Sequence, residues 1–176
     1  MAVLPNVLAR DLDIVFCGTA AGKRSAEVRA YYAHPGNKFW ETLHLTGMTS
    51  RRFAPADFRN VIQHRLGLTD LAKHTSGADS TLRRGDFGAL ALRRVILRYR
   101  PKYVAFTSKR AAKEFFGSTV PYGLHSSSLN GTHFFVLTSP SGLASRYWQK
   151  GQHWYDLAAL VNRFPPNNRI ERAREP

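Results

Sequence analysis

Short apolar, β-branched or aromatic runs alternate along this chain with segments whose apolar residues recur at helical spacing. Leu12-Asp13-Ile14-Val15-Phe16-Cys17, closed by Gly18, predicts a buried strand entering a loop. Leu66 to Thr69 predicts a shorter strand, and Lys102–Thr107 and His133–Leu137 two more. Helices are expected between them: Lys38–Thr46, capped by Asn37 and stopped by Gly47; Pro55–His64, with Phe58, Val61 and Ile62 on one side; and Lys109–Phe116. Asp86 is expected to cap another, with the stripe Leu92, Val95, Ile96 and Tyr99, and Gln152–Phe164 to form the last before Pro165-Pro166. Strands alternating with helices imply an α/β fold with a mostly parallel sheet covered on both faces. With 176 residues and no internal repeat, one domain is expected over 1–164 and a loose tail over 165–176.

Such sheets bind ligands beyond the carboxyl ends of their strands. That rule selects the loops Gly18–Gly36, Asp70–Gly85 and Thr138–Gly151.

Charge narrows the ligand. The formal net charge is +14, and only +2 of it falls in Arg163–Pro176. A folded body this basic is expected to meet a polyanion, first of all nucleic acid. From Phe87 through Lys113 stand eight basic residues and no acidic one. Each alone reads as a solvated helix face; as a set, with Arg51, Arg52 and Arg146, they can track a phosphate backbone. The one cysteine, Cys17, permits no disulfide within the chain and reads as a small core residue. Apolar stretches are too short for a membrane span, and the first residues lack a signal-peptide pattern, so an intracellular, cytoplasmic protein is expected.

Several catalytic classes fail on spacing. Gly18-Thr19-Ala20-Ala21-Gly22-Lys23 is one residue short of a phosphate loop, and Arg24 stands where a Mg²⁺-binding hydroxyl is required. Its small residues still allow a ligand close to the backbone. The seven histidines show no paired metal-site spacing, and no G-x-S-x-G elbow is present. Tyr31 or Tyr32, in the densest aromatic segment, can stack on a flat ligand, whereas Phe39 and Trp40 read as core. Ser139-Pro140-Ser141-Gly142-Leu143-Ala144-Ser145-Arg146 presents a leucine beside an arginine after a strand. An ordinary connecting loop has that form, and so does a wedge that fills the gap left by an extruded base.

Taken in order, V-F-C-G-T-A-A-G, A-H-P-G-N-K-F-W, L-G-L-T-D-L-A-K and S-P-S-G-L-A-S-R resemble the mismatch-specific uracil-DNA glycosylases and their thymine-DNA glycosylase relatives, from about Arg10 to Phe164. The resemblance implies a three-layer α/β/α sandwich around a central, mostly parallel sheet of four to five strands, with no metal or cofactor. It also implies DNA as partner: double-stranded with a mismatched or damaged base, or single-stranded. A monomer is expected. By position, Tyr32 matches the aromatic that stacks on the flipped base, the backbone of Thr19 and Tyr32 the groups that hydrogen-bond it, and Ser25 a neighbour of the base. Gly142, Leu143, Ala144, Ser145 and Arg146 match the wedge, and Asn37 matches as well. Two asparagines of the family pattern are replaced: Ala20 stands where the first loop, usually G-I-N-P-G, positions the attacking water, and Ser139 opens the last loop in place of N-P-S-G-L.

A methyl group cannot hold a water, so the cleavage chemistry needs another source. Breaking an N-glycosidic bond builds positive charge on the sugar and negative charge on the base. A carboxylate can stabilise the first or activate water. Of the acids in the three loops, Asp86 has a capping role, Asp70 follows a strand and can bond nearby backbone, and Glu27 has Arg24 and Arg29 as partners. Asp79 has no such assignment and is the expected catalytic group, with a solvated loop aspartate as the plain alternative. Two further readings stay open: a weakly catalytic damaged-DNA-binding protein of the same fold, and a general basic DNA-binding module.

Overall fold

The computed structural model describes residues 1–142 and 151–161. Five strands form one sheet in the order β2-β1-β3-β5-β4, with β1 Ile14–Ala21, β2 Leu66–Ser76, β3 Tyr103–Phe106, β4 Gly123–Leu129 and β5 Thr132–Val136. Neighbours are parallel except β4, which runs antiparallel to β5. The helices are α1 Lys23–Val28, α2 Phe39–Leu45, α3 Ala89–Tyr99, α4 Lys109–Phe116 and α5 Gln152–Leu160.

Strand alternation divides the core in two. Ile14 and Phe16 of β1, Ala105 of β3 and Phe135 of β5 join one cluster with Phe39, Trp40 and Leu43 of α2 and Trp154 and Leu157 of α5. Their chain neighbours Val15, Cys17, Val104, Phe106, Phe134 and Val136 face the other way, onto Leu92 and Ile96 of α3 and Ala111, Ala112 and Phe115 of α4. This is the expected three-layer sandwich, and the sheet is buried on both faces as parallel sheets are.

Several boundaries depart from expectation. β1 does not stop at Gly18 but pairs with β2 as far as Ala21, so half of the expected first loop is strand or α1. β2 has 11 residues rather than the four of Leu66–Thr69, and its far end is polar because it lies at the exposed margin. Pro55–His64 is a 3₁₀ helix. Asp86 does not cap α3: it ends the short 3₁₀ turn Arg84–Asp86, where its carboxylate accepts from Arg83 N and Thr75 Oγ1, while α3 begins at Ala89 behind Gly88. β4 was unforeseen because its serine-rich sequence carries no apolar alternation. It is an edge strand, joined to β5 through Asn130-Gly131, both at positive φ. The expected helix end Asn162–Phe164 and the tail 165–176 lie outside the described residues.

Candidate nucleic-acid site at the carboxyl ends of β1 and β3

From β1 the chain steps to β2 on one side and later to β3 on the other, so the strand order reverses at β1. Crevices at such reversals are where α/β sheets hold ligands. Two side-chain contacts cross this one. Thr19 Oγ1 lies 2.9 Å from Ser108 Oγ, which also accepts from Ala111 N as the N-cap of α4. Tyr32 Oη lies 3.3 Å from Thr107 Oγ1.

Gly18 and Thr19 are consecutive and face opposite sides of β1, which sorts the site into two groups. On the α2 side, Gly18 is paired with Asp70 of β2. A Cβ on Gly18 would lie 2.6 Å from Asp70 Oδ1 and 3.5 Å from Tyr32 Oη, so the glycine leaves room for the carboxylate and the phenol to approach each other. Asp70 is buried, with Lys73 Nζ 3.8 Å from Oδ2, and Lys73 Nζ also donates to Tyr31 Oη at 3.0 Å. Burial pushes the Asp70 carboxyl up to about 6 against the opposing pull of Lys73 and Tyr31. Burial likewise lowers Lys73, offset in part by Asp70, and raises the hydroxyls of Tyr31 and Tyr32, with the Asp70 charge adding to both. Cys17 is fully buried, and its raised thiol fits the expected core role.

Tyr32 is held in a left-handed conformation, φ 52°, with its ring stacked on Phe39 at 3.8 Å between centroids and 16° between planes. One ring face is therefore spent on α2, and only the other can meet a flat ligand. Ser25 is buried in α1, and its hydroxyl accepts from Ala33 N at 3.1 Å, bracing the loop that carries Tyr32. Asn37 Oδ1 accepts from Phe39 N at 2.9 Å and turns the chain into α2, but the N-cap is Lys38 and not Asn37 as expected, because the helix starts one residue later. Beside them a hollow of about 310 Å³ is walled by Tyr32, Asn37, Trp40, Arg52 and Phe53.

On the α4 side, Asp79 opens a short 3₁₀ turn, Asp79–Thr81. The residue is exposed as a whole, but its Oδ2 lies 3.5 Å from Thr19 Oγ1, a long contact. Partial burial raises its carboxyl, opposed by the Thr19 hydroxyl and the Arg110 charge. Glu27, in contrast, is spent on Arg24, 3.4 Å away and exposed.

The last loop closes onto the Tyr32 loop. Lys38 N donates to Pro140 O at 2.8 Å, and a Cβ on Gly142 would come within 3.0 Å of Gly36 O, so these backbones touch. Ser139 Oγ accepts from Ser141 N at 3.3 Å and shapes the turn. Leu143, Ala144, Ser145 and Arg146, the remainder of the expected wedge, lie outside the described residues.

Thr19, Asp79, Tyr32 and Gly142 thus gather at one end of the sheet, with Ala20 half-buried beside Thr19 on β1. Asp70, Lys73, Thr107 and Ser108 are additions. The sign of Asp70 in the sequence is a lone carboxylate inside the apolar run Leu66–Ala72. Among the described residues no cluster of three or more His, Cys, Asp or Glu is arranged to hold a metal, and no helix is long and apolar enough to cross a membrane.

A doubly covered, mostly parallel sheet with a polar crevice at its order reversal defines an α/β protein that takes its ligand at the strand ends. More specifically, the chain belongs to the uracil DNA glycosylase superfamily, whose sequence profile matches residues 5–160. Membership carries with it, in general form, the hydrolysis of N-glycosidic bonds in DNA. The fold is similar to the solution NMR structure of a candidate uracil DNA glycosylase from Methanosarcina acetivorans, with a TM-score of 0.61 at 19% identity, covering 90% of this chain and 96% of that one.

Proposed function

We propose that the protein is a monofunctional DNA glycosylase that flips uracil out of G·U mismatches, and other deaminated or damaged bases with it, and removes it hydrolytically to start base excision repair. It resembles the mismatch-specific branch of its superfamily and works on DNA as a monomer without a cofactor. The observation that carries the reading is the pairing, at one strand end of a superfamily member, of an aromatic ring beside a buried carboxyl with a second carboxylate across the strand.

The division suits the chemistry. A displacement that inverts at the sugar carbon wants its water on the side opposite the departing group. In this reading the free face of Tyr32 stacks on the base, the backbone at Thr19, Ala20 and Tyr32 supplies donors as negative charge develops on it, and Asp79 serves the sugar or the water from across β1. Ser25 and Ser139 act by holding the loops against the base. Leu143 and Arg146 fill and hold the vacated duplex, with Gly142 at the wedge's root.

Ala20, whose side chain offers no polar atom, favours one further reading: a protein of this fold that binds damaged DNA and cleaves it poorly. Base release from duplexes carrying U·G, U·A and T·G separates the two. The proposal expects release from U·G fastest; tight lesion binding with no release from any of the three supports the second reading.

A further inference from the structure

The eight basic residues between Phe87 and Lys113 do not share one face. Lys109 and Arg110 open α4 beside Ser108, at the crevice. α3 runs the other way: Gly88 N, before it, bonds Leu71 O, and its C-cap, Arg100, leads into the start of β3. Arg98 and Arg100 therefore stand toward the amino ends of the strands, away from the crevice, with Arg94 at the middle of α3. Backbone bonds bring further cations there: Asp11 N to Tyr99 O, Lys102 N to Leu12 O and Asp13 N to Arg65 O, each at 2.8 Å. Arg10, Arg65 and Lys102 thereby join the same edge.

The acids at this edge are Asp11 and Asp13, and Asp13 is buried under Arg65 Nε at 3.1 Å and Lys102 Nζ at 3.0 Å. Arg10, Arg94, Arg98 and Arg100 are exposed and have no carboxylate partner among the described residues. Arg94 and Arg98 also line a groove of about 360 Å³ with Asn6, Leu8, Val95 and Tyr99, and the Arg98 guanidinium lies 5.5 Å from the Tyr99 ring centroid. Solubility alone does not require one sign of charge gathered at a groove. Guanidinium forks suit phosphodiester oxygens, and the stacked Tyr99 offers the flat contact that sugars and bases accept.

We propose that this edge is a second binding site for nucleic-acid backbone, distinct from the crevice. The groove runs along the α3 flank of the sheet, from Asn6, whose Oδ1 accepts from Thr69 Oγ1 of β2 at 2.8 Å, to Arg98 and Tyr99, and not across the strand ends as the crevice does. On this proposal the protein holds two duplex segments at once, one read at the crevice and one gripped along α3 by charge alone. The second site needs no lesion and weakens steeply with salt.

The proposal rests on DNA as the ligand, and not on base removal. Its test is the number of undamaged duplexes, each about one helical turn long, bound per protein molecule at low salt, read by analytical ultracentrifugation. Two are expected for the wild type and one for R94E/R98E, with uracil release from a short U·G duplex unchanged between them. R94Q/R98Q, milder at two exposed positions, is expected to lose the second duplex as well. One duplex per wild-type molecule, or two still bound by both variants, would overturn the proposal. So would two-Arg-dependent binding to phosphatidylserine vesicles with unchanged DNA stoichiometry, which would assign the edge to a membrane surface. Two duplexes bound and no base released would leave this site standing and remove only the glycosylase reading.

Discussion

Gly18 and Asp70 are cross-strand partners, and Asp70 Oδ1 occupies the space in which a side chain on Gly18 would begin, 2.6 Å from an ideal Cβ. The carboxylate at that point is nearly enclosed, with 5% of its side chain exposed, and it is tied to Lys73. Neither partner has room to give. Gly18→Ala is expected to cost about 1–3 kcal/mol by overpacking, read as a lower urea midpoint at an unchanged slope. A variant as stable as the wild type would show that Asp70 can withdraw.

The same carboxyl makes stability depend on pH. Its folded pKa, about 6, lies above the 3.8 of a free aspartate, so the folded chain binds this proton more tightly than the unfolded one. The contribution is fully present below the lower value and is lost as pH rises through the upper one. Relative to Asp70→Asn, the wild type should lose up to about 1.4 kcal/mol per pH unit between pH 4 and 6, and roughly 3 kcal/mol in all. Parallel stability curves for the two proteins across that range would contradict the burial argument.

Tyr32 divides its roles between ring and hydroxyl. Tyr32→Phe keeps the stack on Phe39 and forfeits only the 3.3 Å contact with Thr107, so single-turnover base release should fall less than about tenfold, the rate equivalent of one neutral hydrogen bond. Tyr32→Ala removes the surface proposed to stack on the base and should weaken lesion binding by about 1–3 kcal/mol, measured by fluorescence anisotropy. Equal losses in the two variants would place the importance in the hydroxyl.

Asn37 has a structural duty whatever else it does. Asn37→Ala should lower stability by about 1 kcal/mol through the lost hydrogen bond to Phe39 N, visible in thermal unfolding.

Much of this was legible in the chain. β1, β3, β5 and α4 announce themselves because parallel strands buried on both faces must be apolar throughout and α4 has an orthodox Ser108 cap. The features not legible in the chain are set by tertiary pairing. β4 is held by its neighbour rather than by its serines, and its only local signal was Asn130-Gly131. Gly18, which looks like a strand stop, is tolerated inside β1 because Asp70 fills its space. Asp86 has the spacing of a helix cap yet turns back to Arg83 and Thr75. In the site, Thr19, Asp79 and Tyr32 were found from loop positions and resemblance. Asp70 reads from sequence as a partner for nearby backbone, because its burial follows from β2 running seven residues beyond Thr69. That Tyr32 and Asp79 stand on opposite faces of β1 needed the pleat and could not be read from spacing.

The central claim is that a carboxylate at Asp79 performs the chemistry that Ala20 cannot. Single-turnover release of uracil from a U·G duplex, compared between the wild type and Asp79→Asn at neutral pH, tests it most directly. The account predicts measurable release by the wild type and a loss of at least a hundredfold in the variant, in line with about 10²–10⁴ for a positioned general base, with lesion binding retained. Release by Asp79→Asn at the wild-type rate would contradict it and leave the catalytic group to be sought elsewhere at the strand ends.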